Sequence, residues 1–294
     1  MSVAPFSEEK VKELQEKFDL TYHIPYLSVG MQMVGFEGMK VLEVGGSLPK
    51  GLIIDEIGAS QWVAIEKTEY WNELPEFGEN EVQGTVPRDK MNTRVAASAA
   101  PSSLGVREVL EGEVEEIPDS YDGHFDRIFS IACFEHVQTM GAALRAMYRA
   151  LKPGGKLFTM FSPIWSAHDG HHLPRMKDSR GEDINTKENP VTIPPWGHLL
   201  ANPLEMEGFL QKSFDSDTAE RIVYYLYRSN HINRFMTDDY LGFFTRSPFK
   251  ADVVKLTFES SLPEPAKTLL PQKYPNNKNF ANNGILAILS KPSD

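Results

Sequence analysis

The sequence predicts an α/β fold: a doubly wound, mainly parallel sheet of seven strands with a lid-like insertion after the fifth. Three observations carry that expectation. Between Lys40 and Ser162 short apolar runs alternate with segments of helical period. The first run ends in a glycine pair, Gly45-Gly46, which in such folds turns a strand into a helix. Lys152-Pro153-Gly154-Gly155 stops a helical segment just ahead of another apolar run.

The expected strands, in order, are Lys40–Val44, Trp62–Glu66, Val106–Leu110, Asp126–Ile131 and Lys156–Phe161. Glu135–Leu151 has the apolar spacing of an amphipathic helix, ended by the proline and glycines that follow it. Helical pattern resumes over Asp217–Asn230 and Thr237–Phe244, and Val253–Glu259 and Gly284–Leu289 supply the last two strands. Ser162 to about Ser216 breaks the rhythm, being rich in Pro, Gly, His and Trp. Loops this long in compact domains are functional or disordered. Trp165 and Trp196 argue against simple disorder, so a lid or acceptor-binding insertion is expected. The expected organisation is an N-terminal helical cap over 1–37 and a ligand-binding core over 38–162. Lid and helices follow over 163–245, then the completing strands over 246–294.

The bulk numbers narrow the partners. With 41 acidic against 30 basic residues, a net charge of −11 and no Lys/Arg run, the chain's charge argues against a grip on phosphate backbones, which normally takes a basic face. Nucleic acid is therefore not expected as a partner. The single cysteine, Cys133, cannot close an intramolecular disulfide. No stretch approaches the roughly 18 apolar residues of a membrane span, and Met1–Leu20 has no apolar signal core. These features fit a reducing cytoplasm with no membrane partner; a homodimer is left open.

Chemistry concentrates at the strand ends. Starting from Gly45, the dinucleotide fingerprint would need glycines where Ser47 and Lys50 stand, and no Gly-Lys-Ser/Thr of a P-loop follows. Glu43, two places before Gly45, would repel pyrophosphate and suits a cofactor with a cationic amino group. Glu66 ends the second strand, where a carboxylate can accept both hydroxyls of a ribose. Glu113 follows the third strand, placed for the exocyclic amine of an adenine, with the Val114 amide beside it. One acidic residue at a strand end is commonplace; three at successive ends are not.

On these residues the sequence resembles the class I S-adenosylmethionine (SAM)-dependent methyltransferases. VLEVGGS is similar to the family's first motif and AIEK to its second-strand acidic position. EGEVEEIPDSYDGHFDRIFSIACFEHV is similar to the region from its third to its fourth strand, and RALKPGGKLFTMF to its fifth-strand signature. The likeness covers roughly residues 38–162, and Ser47 and Pro49 stand where the family carries glycines. The resemblance implies a Rossmann-like SAM-binding fold and S-adenosyl-L-methionine as cofactor. Gly45, Gly46 and Ser47 would pass under its methionine part, Glu66 would hold its ribose and Glu113 and Val114 would meet its adenine. Ile131 and Ala132 would lie along it, with His136 packed nearby.

The insertion carries the other candidates. His168, His171, His172 and His198 are four of the chain's eight histidines, on a segment leaving the ligand-binding edge. They could act as a general base or bind the acceptor, could gather a metal through His168, Asp169, His172 and His198, or could hold the loop by hydrogen bonds. Their spacing matches no recognised zinc pattern, so no metal is assigned. Tyr22, His23 and Tyr26 could fold over the cofactor or pack on the sheet edge. The expected activity is methyl transfer to an O or N atom of a small molecule. Two alternatives stay open: transfer or cyclisation of the aminocarboxypropyl group, releasing methylthioadenosine, or a non-catalytic SAM-binding module.

Overall fold

A computed structural model describes residues 6–46, 48–67 and 105–293. Ser47, expected in the cofactor turn, lies outside the described residues.

The chain begins with α1 (Glu8–Phe18) and α2 (His23–Val34). Ser7 starts α1 by accepting the Lys10 amide at 3.1 Å, with Glu8 and Glu9 in the first turn and Lys17 in the last, matching the helix dipole. Then come β1 (Lys40–Val44), a π-helical turn (Gly51–Glu56), β2 (Gln61–Glu66), β3 (Val106–Glu111), β4 (Phe125–Ile131), α3 (Met140–Ala150) and β5 (Leu151–Phe161). Beyond the insertion, which holds α4 (Gly197–Leu200) and α5 (Pro203–Leu210), lie α6 (Ser216–Tyr227) and α7 (Thr237–Arg246). The sheet is completed by β6 (Lys250–Glu259), α8 (Ala266–Lys273) and β7 (Asn282–Ser290).

All seven expected strands pair in one sheet, in the order β3-β2-β1-β4-β5-β7-β6. The first five are parallel, and β7 runs antiparallel to both of its neighbours. Successive side chains face opposite layers. Leu42, Val63, Ile128 and Leu157 pack under α3 and α7, while Val41, Trp62, Phe129 and Phe158 pack under α1, α2 and the π-helical turn.

The structure corrects two boundaries. The helix expected from Glu135 starts at Met140, and Phe134–His136 form a separate 3-10 turn. There the Glu135 carbonyl accepts the Asn233 amide at 2.8 Å instead of continuing a helical ladder. Strand β5 begins at Leu151, because a bulge between Phe125 and Arg127 absorbs Lys152–Gly155 within the pairing.

The insertion is packed rather than loose. A short ribbon, Met176–Lys177 with Asp183–Ile184, and residues Leu173, Val191, Met206 and Leu210 share a core with Ala219, Ile222, Val223 and Leu226 of α6. It is fastened to the sheet beyond β5: the Trp196 indole donates to the carbonyls of Ser166 at 3.2 Å and Phe280 at 3.0 Å. The Ser166 hydroxyl accepts the Thr237 amide at 3.1 Å, at the start of α7. Among the described residues no helix is long and apolar enough to cross a membrane.

Candidate functional site at the carboxyl ends of the strands

From β1 the chain winds outward through β2 and β3, then returns to place β4 on the other side of β1. At such a switch point the two outgoing loops diverge and leave a crevice beyond the carboxyl ends of the strands. The candidate residues of the core fall along this edge.

The glycine turn sits directly on the loop that follows β4. Gly45 has φ +77°, and a methyl group there would lie 2.0 Å from Cys133 Sγ; one on Gly46 would lie 2.4 Å from Glu43 Oε1. Only glycine lets the two loops approach so closely. Glu43 is 2% exposed and points into the turn. Its Oε2 accepts the Trp62 indole N–H at 2.6 Å, and both oxygens face the Leu48 amide, at 3.3 and 3.2 Å. Arg107 closes the ring by donating to the Leu48 carbonyl at 2.9 Å. Burial pushes Glu43 up to about 7, against the pull of Trp62 and Arg107. The carboxylate is thus already engaged in holding the turn.

Glu66 ends β2 opposite Glu111, and its carbonyl accepts the Gly112 amide at 3.0 Å. Glu113 is exposed, 2.7 Å from Lys67 Nζ, and caps the 3-10 turn Val114–Glu116, whose Val114 is buried. Ile131 ends β4 buried, and Ala132 turns sharply at φ +45° with its amide on the Met160 carbonyl at 3.0 Å.

Between these loops lies a group the sequence reading passed over. Glu135 is 2% exposed and its Oε2 has no hydrogen-bond partner among the described residues. Burial pushes its carboxyl up to about 8, against hydrogen bonds from its own amide and that of Ser162. Burial, then Glu135, push the Cys133 thiol up to about 12, with Glu43 and Glu113 adding to the effect. Burial and the same Glu135 carboxyl push Tyr22 to about 12, helped by Tyr26 and Cys133. The Tyr22 ring stacks on His23 at 4.1 Å and leans on Tyr26 at 5.7 Å. The head of α2 therefore lies at this edge, near enough to Glu135 and Cys133 for their charges to bear on Tyr22.

The histidines separate by what their ring nitrogens meet. His172 donates from Nε2 to the Pro163 carbonyl at 2.7 Å, and His198, 2% exposed, donates from Nε2 to the Trp165 carbonyl at 2.8 Å. His136 donates from Nδ1 to the His231 carbonyl at 2.6 Å, and His231 from Nε2 to the His172 carbonyl at 2.8 Å. Ring-to-carbonyl bonds thus strap the insertion to the exit of β4, and His231 is a member the sequence did not single out. His171 instead accepts the Leu173 amide at Nδ1, at 3.1 Å, and its ring lies 5.5 Å from that of His198. His168 is the most open, 37% exposed, with Asp169 3.5 Å away and the Trp196 ring at 5.7 Å. Burial lowers His136 and His171 to about 4 and His198 to about 3. Among the described residues no three His, Cys, Asp or Glu side chains are grouped to hold a metal ion.

A seven-stranded sheet of this order, with carboxylates at its parallel strand ends and no phosphate fingerprint, defines an open α/β nucleoside-cofactor fold. Residues 67–159 match the family model described as a methyltransferase domain. Curated relatives include the ubiquinone/menaquinone biosynthesis C-methyltransferase UbiE of Vibrio vulnificus (strain YJ016). It is 28% identical over 117 residues, 36% of this chain and 45% of that protein. The UbiE of Vibrio parahaemolyticus is 32% identical over 124 residues, 38% of this chain and 40% of that one. The chain therefore spans less than half the length of these relatives. Among solved structures, an S-adenosylmethionine-dependent methyltransferase from Mesorhizobium loti is 17% identical, with TM-score 0.45, covering 92% of this chain and 99% of that one.

Proposed function

We propose that this chain binds SAM in the crevice between β1 and β4 and transfers its methyl group to a small organic acceptor. The observation that carries the reading is the set of carboxylates at successive strand ends, Glu66 and Glu113, beside a glycine turn with no basic phosphate grip. That donor set suits a ligand offering ribose hydroxyls and an amine. When bound, SAM supplies an electrophilic methyl, leaving the protein to bind, orient and exclude water. Glu66 takes the ribose hydroxyls, and the loop from Glu113 to Val114 takes the adenine. Gly45 and Gly46 keep the floor of the site free of side chains, and Ile131, Ala132 and His136 wall it.

The relatives named above are C-methyltransferases of quinone biosynthesis, which makes an electron-rich ring carbon the first acceptor to try, ahead of an O or N atom. His168 and His171 are assigned to the acceptor, since neither ring is held by donating to a carbonyl. His172 and His198 are assigned to holding the insertion.

Titration calorimetry with SAM and S-adenosylhomocysteine tests the binding. Product analysis then separates methyl transfer, which leaves S-adenosylhomocysteine, from chemistry releasing methylthioadenosine. Glu66→Ala should weaken SAM by about 2–3 kcal/mol, the worth of two charge-assisted hydrogen bonds; an unchanged Kd removes Glu66 from the site. His168→Ala and His171→Ala should raise the acceptor KM by roughly tenfold with SAM affinity unaltered, about one lost hydrogen bond. His172→Ala and His198→Ala should instead lower Tm. The opposite pattern would return the carbonyl-bound pair to the chemistry.

A further inference from the structure

Among the described residues several buried polar atoms have no partner, His23 Nδ1, His198 Nδ1 and Glu135 Oε2 among them, and of these only Glu135 Oε2 belongs to a carboxyl that is 2% exposed. Every imidazole tied to a carbonyl, and the Glu43 carboxyl, is accounted for by a bond that holds a loop. Glu135 differs. One side of its carboxyl accepts two backbone amides, while Oε2 is buried without a partner among the described residues. A buried oxygen left unsatisfied costs free energy that folding alone does not repay, and such atoms in native proteins call for an explanation.

Its surroundings say what would satisfy it. Glu135 immediately follows the loop that turns off β4, and its carboxyl is held by the amide at the exit of β5. Among the described residues the titratable groups within its electrostatic reach are Tyr22 at the head of α2, Cys133 on its own loop and Tyr240 of α7. Burial keeps the Tyr22 and Cys133 protons on until about 12, and that of Tyr240 is held well above its ordinary value, so all three are uncharged at neutral pH. Tyr240 is spent on the Phe134 carbonyl at 3.1 Å and Asn233 at 2.9 Å. Tyr22, 41% exposed, stacks on His23 and leans on Tyr26, an aromatic surface at the rim of the same edge, within electrostatic reach of the carboxyl. A hydrogen-bond acceptor next to stacked rings in an uncharged setting fits a hydroxylated aromatic ring.

We propose that Glu135 is the acceptor-binding base: its Oε2 receives the hydroxyl hydrogen bond of a phenolic acceptor and takes the proton which that acceptor loses. This rests on the methyl-transfer reading above. In the balanced step a bond forms between the acceptor atom and the methyl carbon. The sulfur–methyl bond breaks with its electron pair kept on sulfur, and the displaced proton passes to the carboxylate. A carboxyl near 8 suits the task, being ionised in part at neutrality and basic enough to keep the proton.

The test uses the full chain, with 4-nitrophenol as the probe read by its visible absorption and S-adenosylhomocysteine binding read separately by calorimetry. Glu135→Gln keeps an oxygen for the two amides and removes only the base. It should weaken 4-nitrophenol at least tenfold while S-adenosylhomocysteine Kd stays within twofold. Tyr22→Phe, which removes one hydroxyl from the rim, should weaken the probe by less. In the wild-type protein the infrared carbonyl band of a buried protonated carboxyl should be present at neutral pH, shift on adding 4-nitrophenol, and be missing in E135Q. Equal probe affinity in the two proteins, no probe binding by the wild type, or a band indifferent to the probe overturns the assignment. Failure of S-adenosylhomocysteine to bind the wild type would instead strike the cofactor reading, because the probe and the band are read without it.

Discussion

Gly45→Ala should cost about 2–5 kcal/mol of stability and reduce SAM affinity by at least a hundredfold. Two effects add. At φ +77° an L-residue carries roughly 1–2 kcal/mol of backbone strain. The new methyl would also stand 2.0 Å from Cys133 Sγ and 2.6 Å from its Cβ, so a whole residue of the β4 loop must move, not merely the tip of a flexible chain. Overpacking of this kind costs about 1–3 kcal/mol. The movement carries Ala132 and Glu135 with it, hence the effect on ligand. Cys133→Gly in the same chain removes the clash and leaves the strain, so the double variant should recover about half of the lost Tm. A Gly45→Ala protein with wild-type Tm and SAM affinity would show that the two loops do not meet.

The core strands were legible because parallel strands covered on both faces are short apolar runs bounded by turn residues. Lys40–Val44 and Val106–Leu110 needed at most one added residue. The start of β5 was not legible: Pro153, Gly154 and Gly155 signal a turn, and only the pairing of Leu151 with Phe125 across a bulge shows them inside a strand. The core of the insertion was hidden for a different reason. Leu173, Met176 and Ile184 find partners in Ile222, Val223 and Leu226, some 40 residues on, and no local period encodes that. Histidine density on the insertion was visible, but the carbonyls that occupy His172 and His198 are backbone atoms with no sequence signature. Glu135 looked like any acidic residue heading a helix. Its meaning comes from its burial and from the Ser162 amide it accepts, which tertiary contacts alone supply.

Acid should unfold this protein unusually early, with stability greatest between about pH 6 and 7 and falling steeply toward pH 4. The reason lies in imidazoles buried neutral. His198 donates Nε2–H to the Trp165 carbonyl, and its Nδ1 is buried without a partner among the described residues. A proton added at Nδ1 would create a buried cation whose new N–H meets no acceptor. Burial accordingly lowers His198 to about 3, and His23, His136 and His171 to about 4. Unfolded, each returns to about 6.5. Between those values the unfolded chain binds more protons than the folded one, so stability drops as pH falls through 6.5. At pH 5 His198 alone contributes a loss of about 2 kcal/mol, and the other three act in the same direction. Glu43 near 7 and Glu135 near 8 act oppositely. Their raised values give stability that is full below the unfolded carboxyl value of about 4.5 and is lost as pH rises from there through 7 and 8, so they oppose the histidines below pH 6.5 and set the fall above it. Thermal unfolding across pH 4–9 measures both limbs, and Glu135→Gln should flatten the fall above pH 6.5 and steepen the one below it, because the opposing carboxyl is gone from both. A Tm unchanged from pH 7 to pH 5 would mean that these rings carry their protons inside the fold, and with that the straps of the insertion would need different hydrogen bonds.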